Sequence, residues 1–284
     1  MVKIISDSTC DLSKELILKY DIEIVPLHIL MGEEEFEDSV NITPDEIYAW
    51  SDKNKTTPKT SAVSIDKLQE VYRKYVDMGM EIVCFSISAE MSVTGNVMRM
   101  AAEEEGVQDK VFVIDSRNLS TGVGLQVLRA ASLAMEGKSA VEIVAEIKDM
   151  SPRVRASFVV DILTYLYRGG RCSGLTALAG GVLKLHSKIV VEDGKMHPDK
   201  KYRGKIDGAI LNYVKDMEGE LKSADKERVF ITHSGCDEET IKMVREYLEQ
   251  LEVFNEIHVT RAGGVISSHC GPGTLGVLFV EGKN

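Results

Sequence analysis

The chain has 284 residues, of which 44% are apolar and 28% charged, a globular composition with enough apolar surface for a large core in one or two domains. Thirty-four Lys and Arg stand against 45 Asp and Glu, for a formal net charge of −11. Most of the surface therefore repels phosphate backbones and anionic headgroups, which argues against nucleic acid as a partner.

No apolar run approaches the roughly 18 residues of a spanning helix, so no stable membrane insertion is expected. The amino terminus, MVKIISDST, reaches charge and hydroxyls well short of the roughly 7 to 15 apolar residues of a secretion signal. Cys10, Cys84, Cys172, Cys236 and Cys270 are odd in number and hold no C-x-x-C pair. They read as reduced thiols of a cytoplasmic protein.

In chain order, KIIS from Lys3, IEIVPLHIL from Ile22, EIVCFSIS from Glu81 and KVFVID from Lys110 read as strands. Between them Ile65, Leu68, Tyr72, Tyr75 and Val76 keep helical spacing, as do Val97, Met100 and Ala101, then Val123, Val127, Leu128 and Ala131. The alternation predicts an α/β fold whose N-terminal lobe has a mostly parallel, doubly wound sheet. Residues 51–60, SDKNKTTPKT, read as the most loop-like stretch. Ser151-Pro152 marks the expected junction between lobes of 1–152 and 153–284, because proline removes a donor and turns its predecessor away from helix. Beyond it, SFVVDILTYLYRGGR reads as a strand entering a short helix stopped by Gly169 and Gly170, followed by the loosely patterned LTALAGGVLKLH. The strand RVFITH, the helix EETIKMVREYLEQL, and the strands EIHVT and LGVLFVEG complete an α+β second lobe.

Hydroxyls crowd the predicted strand ends: Ser6, Ser8 and Thr9 beside Asp7, then Thr60, Ser61 and Ser64, then Ser86, Ser88, Ser92 and Thr94. At the carboxyl edge of an open α/β sheet such groups can hold a small anion. Helix capping uses the same residue types. There is no G-x-x-x-x-G-K-[ST] and no G-x-G-x-x-G after the first strand, and TGVGLQ at Thr121 to Gln126 suits helix packing better than a phosphate cradle. No cofactor is expected. His269 reads as ending a strand before a Gly-Pro-Gly turn, where imidazole could face a crevice, and His233 has the same relation to its own strand. A metal held by His233-x-x-Cys236 and His269-Cys270 would lack the two spaced ligand pairs of zinc sites. Arg168, Arg171 and Arg203 flank glycines, which suits recognition of phosphate or carboxylate, or simple helix capping and solvated surface.

Read in order, these segments resemble the DegV family of bacterial fatty-acid-binding proteins over nearly the whole chain. The opening S-D-S-T-x-D is Ser6, Asp7, Ser8, Thr9 and Asp11, and T-S-x-x-S is Thr60, Ser61 and Ser64. Y-x-G-G-R-x-S is Tyr167, Gly169, Gly170, Arg171 and Ser173. Arg203 matches a later family arginine, and H-x-G-P-G-x-x-G runs from His269 to Gly276. The S-G-T segment departs from the pattern: Ser92 and Thr94 are present, Val93 replaces the glycine, and Gly95 stands where an aromatic residue is usual.

The resemblance implies a two-lobed protein with one long-chain fatty acid in an apolar tunnel between the lobes, no cofactor and no catalytic residue. Thr60 or Ser61 with Ser92 would hold the carboxylate, with Thr94 and His269 completing the network. Arg171 and Arg203 would face a partner, a separate fatty acid kinase that makes the acyl phosphate. Burying an acyl chain yields about 0.8 kcal/mol per methylene, provided the carboxylate is hydrogen-bonded. Leu27, Ile29, Ile162, Leu163 and Leu166 are candidates for tunnel wall or ordinary core. The alternative is a serine hydrolase acting on a small ester or amide, with Ser92 or Ser61 as nucleophile and His269 as base.

Overall fold

The computed structural model describes residues 1–172 and 185–283. Ser173 and most of LTALAGGVLKLH lie outside the described residues. The first lobe runs β1 (Val2–Asp7), α1 (Lys14–Lys19), β2 (Glu23–Val25), β3 (His28–Met31), β4 (Glu34–Glu37), α2 (Pro44–Asn54), β5 (Lys59–Ser61), α3 (Ile65–Asp77), β6 (Glu81–Ser86), α4 (Thr94–Glu104), β7 (Val111–Asp115), α5 (Thr121–Met135) and α6 (Ala140–Met150). The second runs β8 (Val154–Val160), α7 (Leu163–Gly169), β9 (Leu185–Glu192), β10 (Lys195–Arg203), α8 (Ile206–Asp216), α9 (Glu218–Lys222), β11 (Ala224–His233), α10 (Glu238–Gln250), β12 (Glu256–Arg261), α11 (Gly264–Cys270) and β13 (Leu275–Glu281).

The first sheet is parallel, in the order β2-β1-β6-β7. β1 and β6 are buried almost without a break because helices cover both faces. Helix α3 shows the matching pattern: Leu68, Val71, Tyr72 and Tyr75 are buried along one stripe, and Ser64 caps its start by accepting from Lys67 N–H.

IEIVPLHIL proves to be two strands rather than one. Pro26 lacks the N–H a continuous strand would need. β2 stays in the parallel sheet, while β3 leaves to form a separate antiparallel sheet ordered β4-β3-β5. SDKNKTTPKT is likewise no simple loop, since Ser51–Asn54 close α2 and Lys59–Ser61 form β5. Helix α2 opens with Pro44 and a reciprocal capping box between Thr43 and Glu46. In the register of this small sheet, Thr60 lies opposite Ile29 and Ser61 opposite His28.

The second sheet has six strands ordered β10-β9-β8-β13-β11-β12, with only β11 and β12 parallel. Helix α5 is the spine between the two large sheets and is buried on nearly every side. Gly122 and Gly124 allow that packing: a Cβ on Gly122 would stand 2.1 Å from Asn118 Oδ1, and one on Gly124 would stand 2.8 Å from Cys10 O. One apolar core runs through both lobes, joining Val83, Phe85 and Leu128 to Phe158, Phe230 and Leu278. No helix among the described residues is long and apolar enough to cross a membrane.

Candidate functional site

Between the lobes lies a cavity of about 510 Å³, within the roughly 300–1,000 Å³ usual for small-molecule sites. Its apolar wall includes Leu27, Ile87, Met91, Leu119, Met196 and Ile266. Its polar groups are Thr60, Ser61, Ser92 and His269, with Arg171 and Glu90. A small apolar void bordered by Phe158 and Leu278 shares Leu119, Ile266 and Cys270 with it, extending the apolar path inward. A groove of about 580 Å³ elsewhere alternates Arg117, Arg155 and Lys188 with Glu192, Asp193 and Asp199, and is suited to water rather than to an apolar ligand.

His269 sits on helix α11, not at a strand end, so the sequence expectation for its setting is corrected. A helix forms there because Gly263 and Gly264 let the backbone start a turn in a crowded place, and Gly271, at φ +74°, ends it. Thr60 Oγ1 and His269 Nε2 are 2.9 Å apart. Burial, with the charge of Arg171 second, lowers the imidazole to about 4, so the ring is neutral at pH 7. Arg171 Nη1 donates to Gly169 O at 2.6 Å. The Y-x-G-G-R run thus has two physical duties: Gly169 makes room for the imidazole, and Gly170, at φ +67°, ends α7.

Thr60, Ser61, Ser92, His269 and Arg171 all line this cavity. Thr94 is fully buried at the start of α4, one hydrogen bond away, with its Oγ1 2.9 Å from Ser92 Oγ. Arg203 is exposed at the end of β10 and does not line the cavity, whereas Arg171 does. Of the proposed wall residues only Leu27 lines the cavity. Ile29 and Leu166 are core, and Ile162 is 41% exposed.

Most of the remaining hydroxyls are structural. Ser8 Oγ donates to Asp38 Oδ2, Thr9 Oγ1 to Asp7 Oδ1, and Ser88 Oγ to Gly194 O. Three buried aspartates, Asp7, Asp11 and Asp38, crowd beneath the site, and burial raises all three carboxyls. No motif singles out Asp38 in the sequence.

The hydrolase constellation is not assembled. His269 Nε2 faces Thr60 rather than Ser92 or Ser61, and Nδ1 is buried without a hydrogen-bond partner among the described residues, so no acid orients the ring. Burial holds the Cys270 thiol up at about 12, which keeps it protonated. No cluster of three or more His, Cys, Asp or Glu suited to a metal exists among the described residues.

The family described as "Uncharacterised protein, DegV family" matches residues 1–282. The chain belongs to the DegV family. DegV domain-containing proteins of Clostridium acetobutylicum and Clostridium perfringens are each 33% identical to it, covering 99% of this chain and 98% of their own. Among solved DegV structures, a Thermus thermophilus protein described as fatty acid binding superposes with a TM-score of 0.90 at 29% identity, covering 99% of each chain. A stearic acid-binding protein of Eubacterium ventriosum gives 0.86 at 29%, covering 99% of this chain and 98% of its own. The fatty acid binding DegV of Bacillus subtilis gives 0.85 at 26%, covering 99% of each. The DegV departure at Val93 is accommodated because its φ of −84° is open to any residue. Gly95 is equally explicable, since a Cβ there would stand 2.7 Å from Ser86 Oγ.

Proposed function

We propose that this protein is a bacterial cytoplasmic carrier that holds one long-chain fatty acid in the interlobe cavity and presents it to a fatty acid kinase for acyl-phosphate formation. The observation that carries the reading is the make-up of the cavity: a largely apolar lining that also carries the hydroxyls of Thr60, Ser61 and Ser92 and a neutral imidazole, with Thr60 Oγ1 2.9 Å from His269 Nε2. An acyl chain in that interior leaves water at a gain of about 0.8 kcal/mol per methylene. Its carboxylate needs donors, because an unpaired buried charge would cancel the gain. Ser92 Oγ, Thr60 Oγ1 or Ser61 Oγ, and His269 are the groups proposed to supply them, with Thr94 holding Ser92. Arg171, on the cavity wall, adds positive charge near the carboxylate, and exposed Arg203 is left for the kinase. In this reading the chain contributes no catalytic residue and no cofactor.

The decisive experiment is native mass spectrometry of freshly purified protein, followed by extraction and identification of the co-purifying lipid. A stoichiometric long-chain fatty acid released on denaturation is the expected result. An empty protein that also refuses added stearate would overturn the reading, and labelling by a serine-reactive phosphonate would then revive the hydrolase alternative.

A further inference from the structure

The start of helix α11 is held from the opposite lobe by two aspartate carboxyl groups. Asp11 Oδ1 accepts from Gly263 N–H at 2.8 Å, and Asp38 Oδ1 accepts from Gly264 N–H at 2.6 Å. Each carboxyl group is pinned through its other oxygen, Asp11 by Ser120 Oγ at 2.5 Å and Asp38 by Ser8 Oγ at 2.7 Å. The two glycines permit this approach. A Cβ on Gly263 would stand 3.2 Å from both carboxyl groups, and one on Gly264 would stand 2.6 Å from Ile29 Cδ1.

α11 has seven residues and no side-chain cap at its own N-cap position. It is too short to be helical by itself, and its leading N–H groups have no acceptor within the helix. Asp11 and Asp38 are 6% and 1% exposed, and no ion pair to either is found among the described residues. Such burial is costly, and apolar side chains of similar volume would fill the space more cheaply. Stability alone therefore does not account for the pair. What they hold does: α11 carries Val265, Ile266, His269 and Cys270 of the cavity wall.

We infer that Asp11 and Asp38 are positioning residues of the ligand site, fixing α11 from the first lobe so that His269 meets Thr60 and Ile266 faces the acyl path. Its consequence for binding rests on the fatty acid reading. Its consequence for α11 does not.

The test compares Asp11→Ala and Asp38→Ala with the corresponding Asn variants, which keep an acceptor oxygen. Stearate titration and hydrogen exchange of residues 264–270 are the readouts, and Val244→Ala, in the remote core of the second lobe, controls for lost stability. The alanine variants are expected to bind stearate about tenfold more weakly or worse and to exchange α11 amides faster, while the asparagine variants stay within about threefold of wild type. Wild-type affinity and exchange in the alanine variants would overturn the inference. So would equal weakening by Val244→Ala at matched loss of thermal stability. Should an alanine variant fail to fold, Ser8→Ala and Ser120→Ala decide: faster α11 exchange supports the inference, and unchanged exchange overturns it. If wild-type protein takes up no stearate, the fatty acid reading falls, while the exchange comparison still decides the role of the two aspartates.

Discussion

Gly169 and His269 compete for one volume: a methyl group on the glycine would stand 2.3 Å from the imidazole Nδ1. Gly169→Ala should therefore push the ring away from Thr60, at a cost of about 1–3 kcal/mol of stability from overpacking. Combining it with His269→Ala should recover much of that cost, because the clash goes with the ring. Thermal unfolding of the two single variants and the double variant checks this, and strictly additive losses would show that the contact is not the cause.

Ser92→Ala removes one proposed donor from the cavity wall, along with its local hydrogen bonds to Thr94 Oγ1 and N–H. Loss of a hydrogen bond to a charged group should weaken stearate binding by about tenfold to a hundredfold with little change in melting temperature. Unchanged affinity in a lipid titration would remove Ser92 from the carboxylate site.

Arg171 and Arg203 should separate. Arg203 is exposed away from the cavity, so Arg203→Ala should leave stearate affinity intact and slow turnover by a cognate kinase. Arg171 lines the cavity and its charge is felt by His269, so Arg171→Ala should reduce both. Binding isotherms beside a kinase assay distinguish the two. Identical behaviour of the two variants would mean that their different placement has no bearing on function.

Burial raises Asp7 to about 6 and Asp11 to about 8 from an ordinary 3.8. The folded protein then retains protons that the unfolded chain gives up. Their contribution to stability is full below about pH 3.8 and is lost as pH rises through about 6 and about 8. His269 runs the opposite way: lowered to about 4, it contributes above its unfolded value near 6.5, and that contribution is lost as pH falls through about 4. Asp11→Asn deletes one titration, so wild type should lose stability relative to this variant as pH rises from about 5 to about 8.5. Denaturant unfolding across that range checks it, and a constant difference would mean that Asp11 does not titrate there.

Much of the scaffold was legible because parallel strands and amphipathic helices differ in period, as β6 and α3 do. The misreadings have local causes. In IEIVPLHIL the apolar run hid a change of sheet that only Pro26 betrays. In SDKNKTTPKT polar composition masked the end of α2, although Thr43-Pro44-Asp45-Glu46 carries a complete capping signal upstream. The β-branched text before His269 suggested a strand, but tertiary packing against α2, α7 and β5 made it a helix. Thr60, Ser61, Ser92 and His269, which line the cavity, were singled out through motif order. That Asp38 reaches Gly264 across 226 positions leaves no trace in local pattern.

The sheet order gives the closing strand a temporal meaning. β13 lies between β8 and β11, so the six-stranded sheet lacks its middle until residues 275–281 have been synthesised. Helix α11, just upstream, joins that late-arriving part of the molecule. On a ribosome adding about 5–20 residues per second, the first lobe can condense while its neighbour waits. The compartment between them likewise lacks Val265, Ile266, His269 and Cys270 of its wall until α11 has been made and packed.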